Sequence, residues 1–159
     1  MHIVNIHRRI FDLSQEQMGD LIHSLATPND EIWPNEKWPK MKLDNGLSPG
    51  SKGGHGPIKY YVESIIPNTQ VVFRFTGPKG FEGIHKFDIK HIQENKTELI
   101  HTLDMEANGN AYFLWFFGIK WLHNALIEDG LDKIHNKVTG ELKVTKWNYW
   151  VRILRNVLN

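Results

Sequence analysis

Asn110-Ala111-Tyr112-Phe113-Leu114-Trp115-Phe116-Phe117, running on without a proline to Thr139, is the stretch on which the fold turns. Its first turns are apolar on every face. Its later turns keep a narrower stripe, Ile127, Leu131, Ile134 and Val138, at spacings of four, three and four. A helix that is apolar all round needs neighbours on every side, whereas an amphipathic one has a face in water. The expectation is one long helix, enclosed at its start and half-exposed at its end, that Gly140 terminates. A curved antiparallel sheet is what could clasp it, with a cavity left behind the helix.

Upstream, the chain reads as strands and turns. His2 to Phe11 alternates, with Val4, Ile6 and Ile10 on one side. Ser14-Gln15-Glu16-Gln17 is a capping box, and the helix it opens carries Met18, Leu21, Ile22 and Leu25 on one face and stops before Pro28. Glu31 to Pro39 forms a short helix or turn in which Trp33 and Trp38 either plug one end of the core or line a pocket. Met41 to Leu43 makes a brief strand, and the glycines and prolines of Gly46 to Pro57 imply a loop. Four alternating strands follow, separated by Pro67-Asn68, Gly77-Pro78-Lys79-Gly80 and Glu94-Asn95-Lys96. One apolar and one charged face per strand indicates an antiparallel sheet covered on one side. The tail after Gly140 repeats apolar residues at helical spacing (Trp147, Trp150, Val151, Leu154, Leu158) among Lys143, Lys146, Arg152 and Arg155.

The chain has 159 residues, enough for one domain with a full core and no staples. It has no cysteine, which excludes disulfides, a thiolate nucleophile and cysteine-bound zinc. A net charge of +1 provides no field for nucleic acid, so no nucleic-acid partner is expected. Met1 to Arg9 lacks the apolar segment of a secretion signal. The longest apolar run, Ala111 to Phe117, is far short of the roughly 20 residues that span a bilayer. A cytoplasmic protein is the expectation.

Four phrases carry a family resemblance: Trp33-Pro34 to Trp38-Pro39, Gly53-Gly54-His55-Gly56-Pro57-Ile58-Lys59-Tyr60, Gly80 to Phe87, and Leu122 to Asp129. With the element order they resemble the helix-grip fold of the START-like (SRPBCC) superfamily, which includes polyketide cyclases and dehydratases, lipid-transfer domains and plant pollen allergens. The likeness is nearest to an uncharacterised bacterial branch and covers nearly the whole chain. It implies an α+β fold in which a curved antiparallel sheet wraps a long C-terminal helix, with two short helices after the first strand. Residues 1–140 would form the ligand-binding domain and 141–159 an amphipathic helical tail. The superfamily places many activities on one scaffold, and no catalytic motif carries over residue by residue.

In such a fold, parity puts Tyr60, Val62, Phe73, Phe75, His85, Phe87, Leu99, His101, Leu103 and Met105 on the concave face. The helix adds Tyr112, Trp115, Phe116, Ile119 and His123. That lining suits a small hydrophobic or amphipathic molecule with one or two polar handles; a solid core is the alternative. His85 and His101 lie in the apolar register of consecutive strands, either as neutral core histidines or as a general acid and base. His123 could add a third nitrogen, but no carboxylate accompanies the three, and neither a metal nor a cofactor is expected. His55, in its glycine-rich segment, marks an entrance loop or a plain connection. Adjacent strand residues face opposite ways, so one of Arg8 and Arg9 should point inward. Arg8 shares its parity with Ile6 and Ile10; a guanidinium there needs a carboxylate or an anion, unless its head escapes to solvent at the strand's end. The tail packs on protein or, with tryptophan beside arginine, lies on a membrane surface. Three functions follow: a carrier or sensor, a cyclase- or dehydratase-type enzyme using His85 or His101, and a docking module.

Overall fold

The computed structural model describes residues 1–158; Asn159 and the side chain of Leu158, the end of the expected tail, lie outside the described residues. Seven antiparallel strands form one sheet: β1 (His2–Phe11), β2 (Lys42–Leu43), β3 (Lys52–His55), β4 (Ile58–Ile66), β5 (Gln70–Gly77), β6 (Phe81–Gln93) and β7 (Lys96–Ala107). Their spatial order is β1-β7-β6-β5-β4-β3-β2. Strands β2 to β7 are a meander, and β1 closes onto the last of them. After β1 comes α1 (Gln15–His23), opened by the reciprocal Ser14 and Gln17 bonds of the expected capping box. The next segment, up to Pro39, is built of turns rather than a second helix. Asp30 organises it, its carboxylate accepting the amides of Ala26, Ile32 and Trp33.

The long helix consists of α2 (Asn110–Leu114), a π-helical turn (Trp115–Ile119) and α3 (Lys120–Thr139), ended by Gly140 in the left-handed region. Leu126, Ile127, Leu131 and Ile134 are buried beneath it. Its first turns are not enclosed as their composition suggests. Phe113 and Phe117 are each 59 % exposed, and Leu114 and Phe116 about half. The sheet reaches only one side of these turns, so their remaining apolar faces meet solvent.

Two further expectations change. Glycines 53 and 54 belong to β3 rather than to a loop. A Cβ on Gly53 would lie 1.8 Å from the Lys42 carbonyl oxygen, and one on Gly54 2.0 Å from that of Ile58. The glycines there permit close strand approach. In β1 the interior face is Ile3, Asn5, His7, Arg9 and Phe11, and Val4, Ile6, Arg8 and Ile10 face out. Arg9, not Arg8, is the inward arginine.

Its carboxylates come from α3. Arg9 Nη1 donates to Asp132 Oδ1 at 2.7 Å and Nη2 to Glu128 Oε2 at 2.8 Å. His7 Nδ1 lies 2.7 Å from Glu128 Oε1, and Asn5 Nδ2 donates to Asn124 Oδ1 at 3.1 Å. Two strand residues advance about 6.7 Å and four helix residues about 6 Å. Residues 5, 7 and 9 therefore stay in step with 124, 128 and 132. Asp132 also accepts the Thr145 amide. Burial raises its carboxyl pKa, but Arg9 and Thr145 outweigh this and hold it below 3.8.

The tail ends in α4 (Tyr149–Leu158), which packs on the body. Val151 is buried, Trp147 contacts the main core cluster, and the Trp150 indole donates to the Phe117 carbonyl at 2.9 Å.

Candidate functional site

The apolar interior is packed in two clusters. The larger contains Leu25, Trp33, Trp38, Leu126 and Ile134; the smaller contains Ile3, Phe81, Leu103, Met105 and Trp115. The sheet and helix border a partly open cavity of about 350 Å³ whose wall draws on both clusters. From the sheet, Phe75, His85, His101, Leu103 and Met105 line it, as strand parity requires. The long helix contributes Trp115, Ile119 and His123, the first two at either end of the π-helical turn. Such wide turns recur where a helix meets a functional site. Trp33 and Trp38 come from the segment between α1 and β2, and His55 from the end of β3 rather than from an entrance loop.

Other expected residues lie elsewhere. Tyr60, Val62 and Phe73 are wholly buried behind the wall. The Phe73 ring stacks on His85 at 4.7 Å, and Tyr60 meets the same imidazole edge-on. These rings form a second layer that fixes His85. Phe87 and Leu99 face a void of only about 10 Å³ beneath α3, where side chains fill the interior. Tyr112 is half-buried beside the smaller cluster, and Phe116 is about half exposed.

Four imidazoles line the cavity. The rings of His85 and His101 are 5.7 Å apart, and those of His101 and His123 5.1 Å. His85 Nε2, His101 Nδ1 and His123 Nδ1 are buried without hydrogen-bond partners. Burial is the main cause of low pKa values throughout: about 4 for His55, about 3 for His123, and well below 6.5 for His85 and His101. All four are neutral at pH 7, each with one donor and one acceptor nitrogen. His55 Nδ1 is 3.0 Å from the Tyr60 hydroxyl, whose own pKa burial raises. Among the described residues no group of three or more His, Asp or Glu has the spacing to hold a metal ion.

Sequence reasoning missed part of the wall. Phe81 shares the parity of His85, and Leu122, Leu126 and Ile127 follow the helical repeat, so periodicity could have found them. The turns Gly56-Pro57 and Gly77-Pro78 carry no such signal, nor does Arg155, brought to the cavity by α4. Among the described residues no helix is long and apolar enough to cross a membrane.

No family model matches the chain, and no curated protein does. Solved structures match at low identity. A START superfamily protein from Mycobacterium smegmatis is 13% identical over 88% of this chain and 99% of its own, with a TM-score of 0.59. CalU16 from Micromonospora echinospora is 13% identical over 96% and 81%, with a TM-score of 0.61. A norcoclaurine synthase point mutant from Thalictrum flavum, in complex with a transition-state analogue, is 11% identical over 86% and 96%, with a TM-score of 0.64. Strand order, long helix and these likenesses agree: the chain has the START-like helix-grip fold.

Proposed function

We propose that the protein binds a small hydrophobic or amphipathic molecule in the cavity between sheet and long helix, as a carrier or sensor. The observation that carries this reading is the cavity itself, about 350 Å³ with apolar walls and unpartnered imidazole nitrogens. Its volume is within the range of small-molecule sites. Unpartnered buried nitrogens are costly, so a guest or water that hydrogen-bonds to them is favoured. Native mass spectrometry of freshly purified protein tests it, with an added small molecule as the expected result. A bare-chain mass in every preparation, together with no uptake of the neutral dye N-phenyl-1-naphthylamine, would count decisively against it.

The second reading is a cyclase- or dehydratase-type enzyme in which His85 or His101 moves a proton. The paired imidazoles on the wall favour it. Their low pKa values suit a weak base better than an acid at neutral pH. His85→Ala or His101→Ala should then abolish turnover of the co-purified compound while binding changes little; a carrier would leave that compound unconverted.

The third reading is docking on a membrane or another protein, favoured by the exposed Phe113, Leu114, Phe116 and Phe117 beside Trp150 of the tail. Equal pelleting with liposomes, with and without residues 141–159, would remove the membrane form of this reading.

A further inference from the structure

The charge of the cavity wall is one-sided. Among the described residues no aspartate, glutamate or lysine lines it. Its histidines are neutral at pH 7, which leaves Arg155 as the single formal charge among the described residues of the wall. The Arg155 guanidinium lies 4.7 Å over the Trp38 ring and 5.9 Å from that of Trp147, while Nη2 donates to the Lys37 carbonyl at 2.7 Å. Nε is buried and has no partner. Among the described residues no carboxylate pairs with this guanidinium, whereas Arg9 has two and Arg74 one. The tryptophan faces and the Lys37 carbonyl hold the fork in place but do not neutralise it. A planar fork of five donors, only one of them used by the protein, matches a carboxylate.

Resting on the binding reading above, we propose that the ligand is an amphipathic carboxylate whose head pairs with Arg155 at the α4 side of the cavity. Its apolar body lies against Leu103, Met105 and Trp115. The neutral imidazoles can accept or donate one hydrogen bond each to a polar atom along that body. On this assignment α4 is a wall of the site as well as a packed tail, and the ligand's orientation is set by one ion pair.

The test uses the full chain loaded with N-phenyl-1-naphthylamine and displaces the dye with decanoate or 1-decanol, which differ in the head alone. Arg155→Met should raise the decanoate concentration needed for half displacement about tenfold, as for loss of a charge-assisted pair, and leave that of decanol unchanged. Equal behaviour of decanoate on both proteins would overturn the proposal. So would parallel weakening of both competitors, which would mark Arg155 as a clamp for α4 only. Should Arg155→Met not fold, the wild-type protein decides: raising salt from about 0.05 to about 0.5 M should weaken decanoate and not decanol. A salt-independent decanoate response overturns the assignment. Failure of the dye itself to bind the wild-type protein overturns the binding reading as well, which separates the two.

Discussion

Trp38 and Trp147 donate their indole N–H groups to the same carboxylate oxygen, Asp129 Oδ2, each at 2.8 Å. Lys37 holds the other oxygen at 2.8 Å. Asp129 is buried in α3, so one carboxylate ties together the connecting segment, the long helix and the tail. Asp129→Asn should cost about 2–4 kcal/mol, because a buried network loses its charge and leaves Lys37 unpaired. Urea denaturation reads the loss, and limited proteolysis should cut residues 141–148 faster. An unchanged midpoint would mean that the tail is held by other contacts.

Arg9 and Asp132 are the inner end of the β1–α3 ladder. Arg9→Met leaves Asp132, 3 % exposed, beside the Thr145 amide alone. A loss of roughly 2–3 kcal/mol is expected, discounted for the partial exposure of Arg9. The double variant Arg9→Met/Asp132→Asn should cost less than the sum of the single ones in a denaturation cycle.

The buried histidines make stability depend on pH. Their folded pKa values are depressed, to about 4 for His55 and about 3 for His123, against 6.5 unfolded. Between those values the unfolded chain binds protons that the fold refuses. Stability is therefore fully present above about pH 6.5 and lost as pH falls toward about 4. The urea midpoint should drop steeply from pH 7 to 5. His101→Phe should flatten that slope by about one proton. A flat profile in the wild-type protein would mean that these imidazoles are hydrated.

Ile119→Trp adds bulk where the helix lines the cavity. Dye affinity should fall about tenfold or more while the melting temperature holds or rises, since the added ring fills space rather than displacing neighbours. Unaltered dye binding would place the dye elsewhere on the protein.

Phe113 and Phe117 are exposed, so Phe113→Ser/Phe117→Ser should change stability by no more than about 0.5 kcal/mol per site. If these rings dock on a bilayer, the double variant should pellet less with phosphatidylglycerol liposomes. Equal pelleting would leave the patch without a membrane role.

Where burial follows period, the sequence was sufficient. Alternation in β5, β6 and β7 found Phe73, His85, His101 and Leu103 as inward residues, because a pleated strand sends successive side chains to opposite faces. The capping box, the turns at Asn68 and Asn95, and the stop at Gly140 were equally local. Alternation misled in β1. Hydrophobicity favours Val4, Ile6 and Ile10 inside, yet an inward arginine is stable when two carboxylates wait on a helix more than a hundred residues away.

The amino-acid order by itself determined the elements, their caps and the apolar face of most strands, since these depend on backbone sterics and neighbours within a few residues. Tertiary structure alone decided which inward side chains face the cavity and which are sealed behind it, as Tyr60 and Phe73 are behind His85. It also decided that the first turns of the long helix stand in solvent and that Arg155 reaches the wall. Those outcomes depend on sheet curvature and on where α4 lands, quantities set by the packing of distant segments rather than by any local repeat.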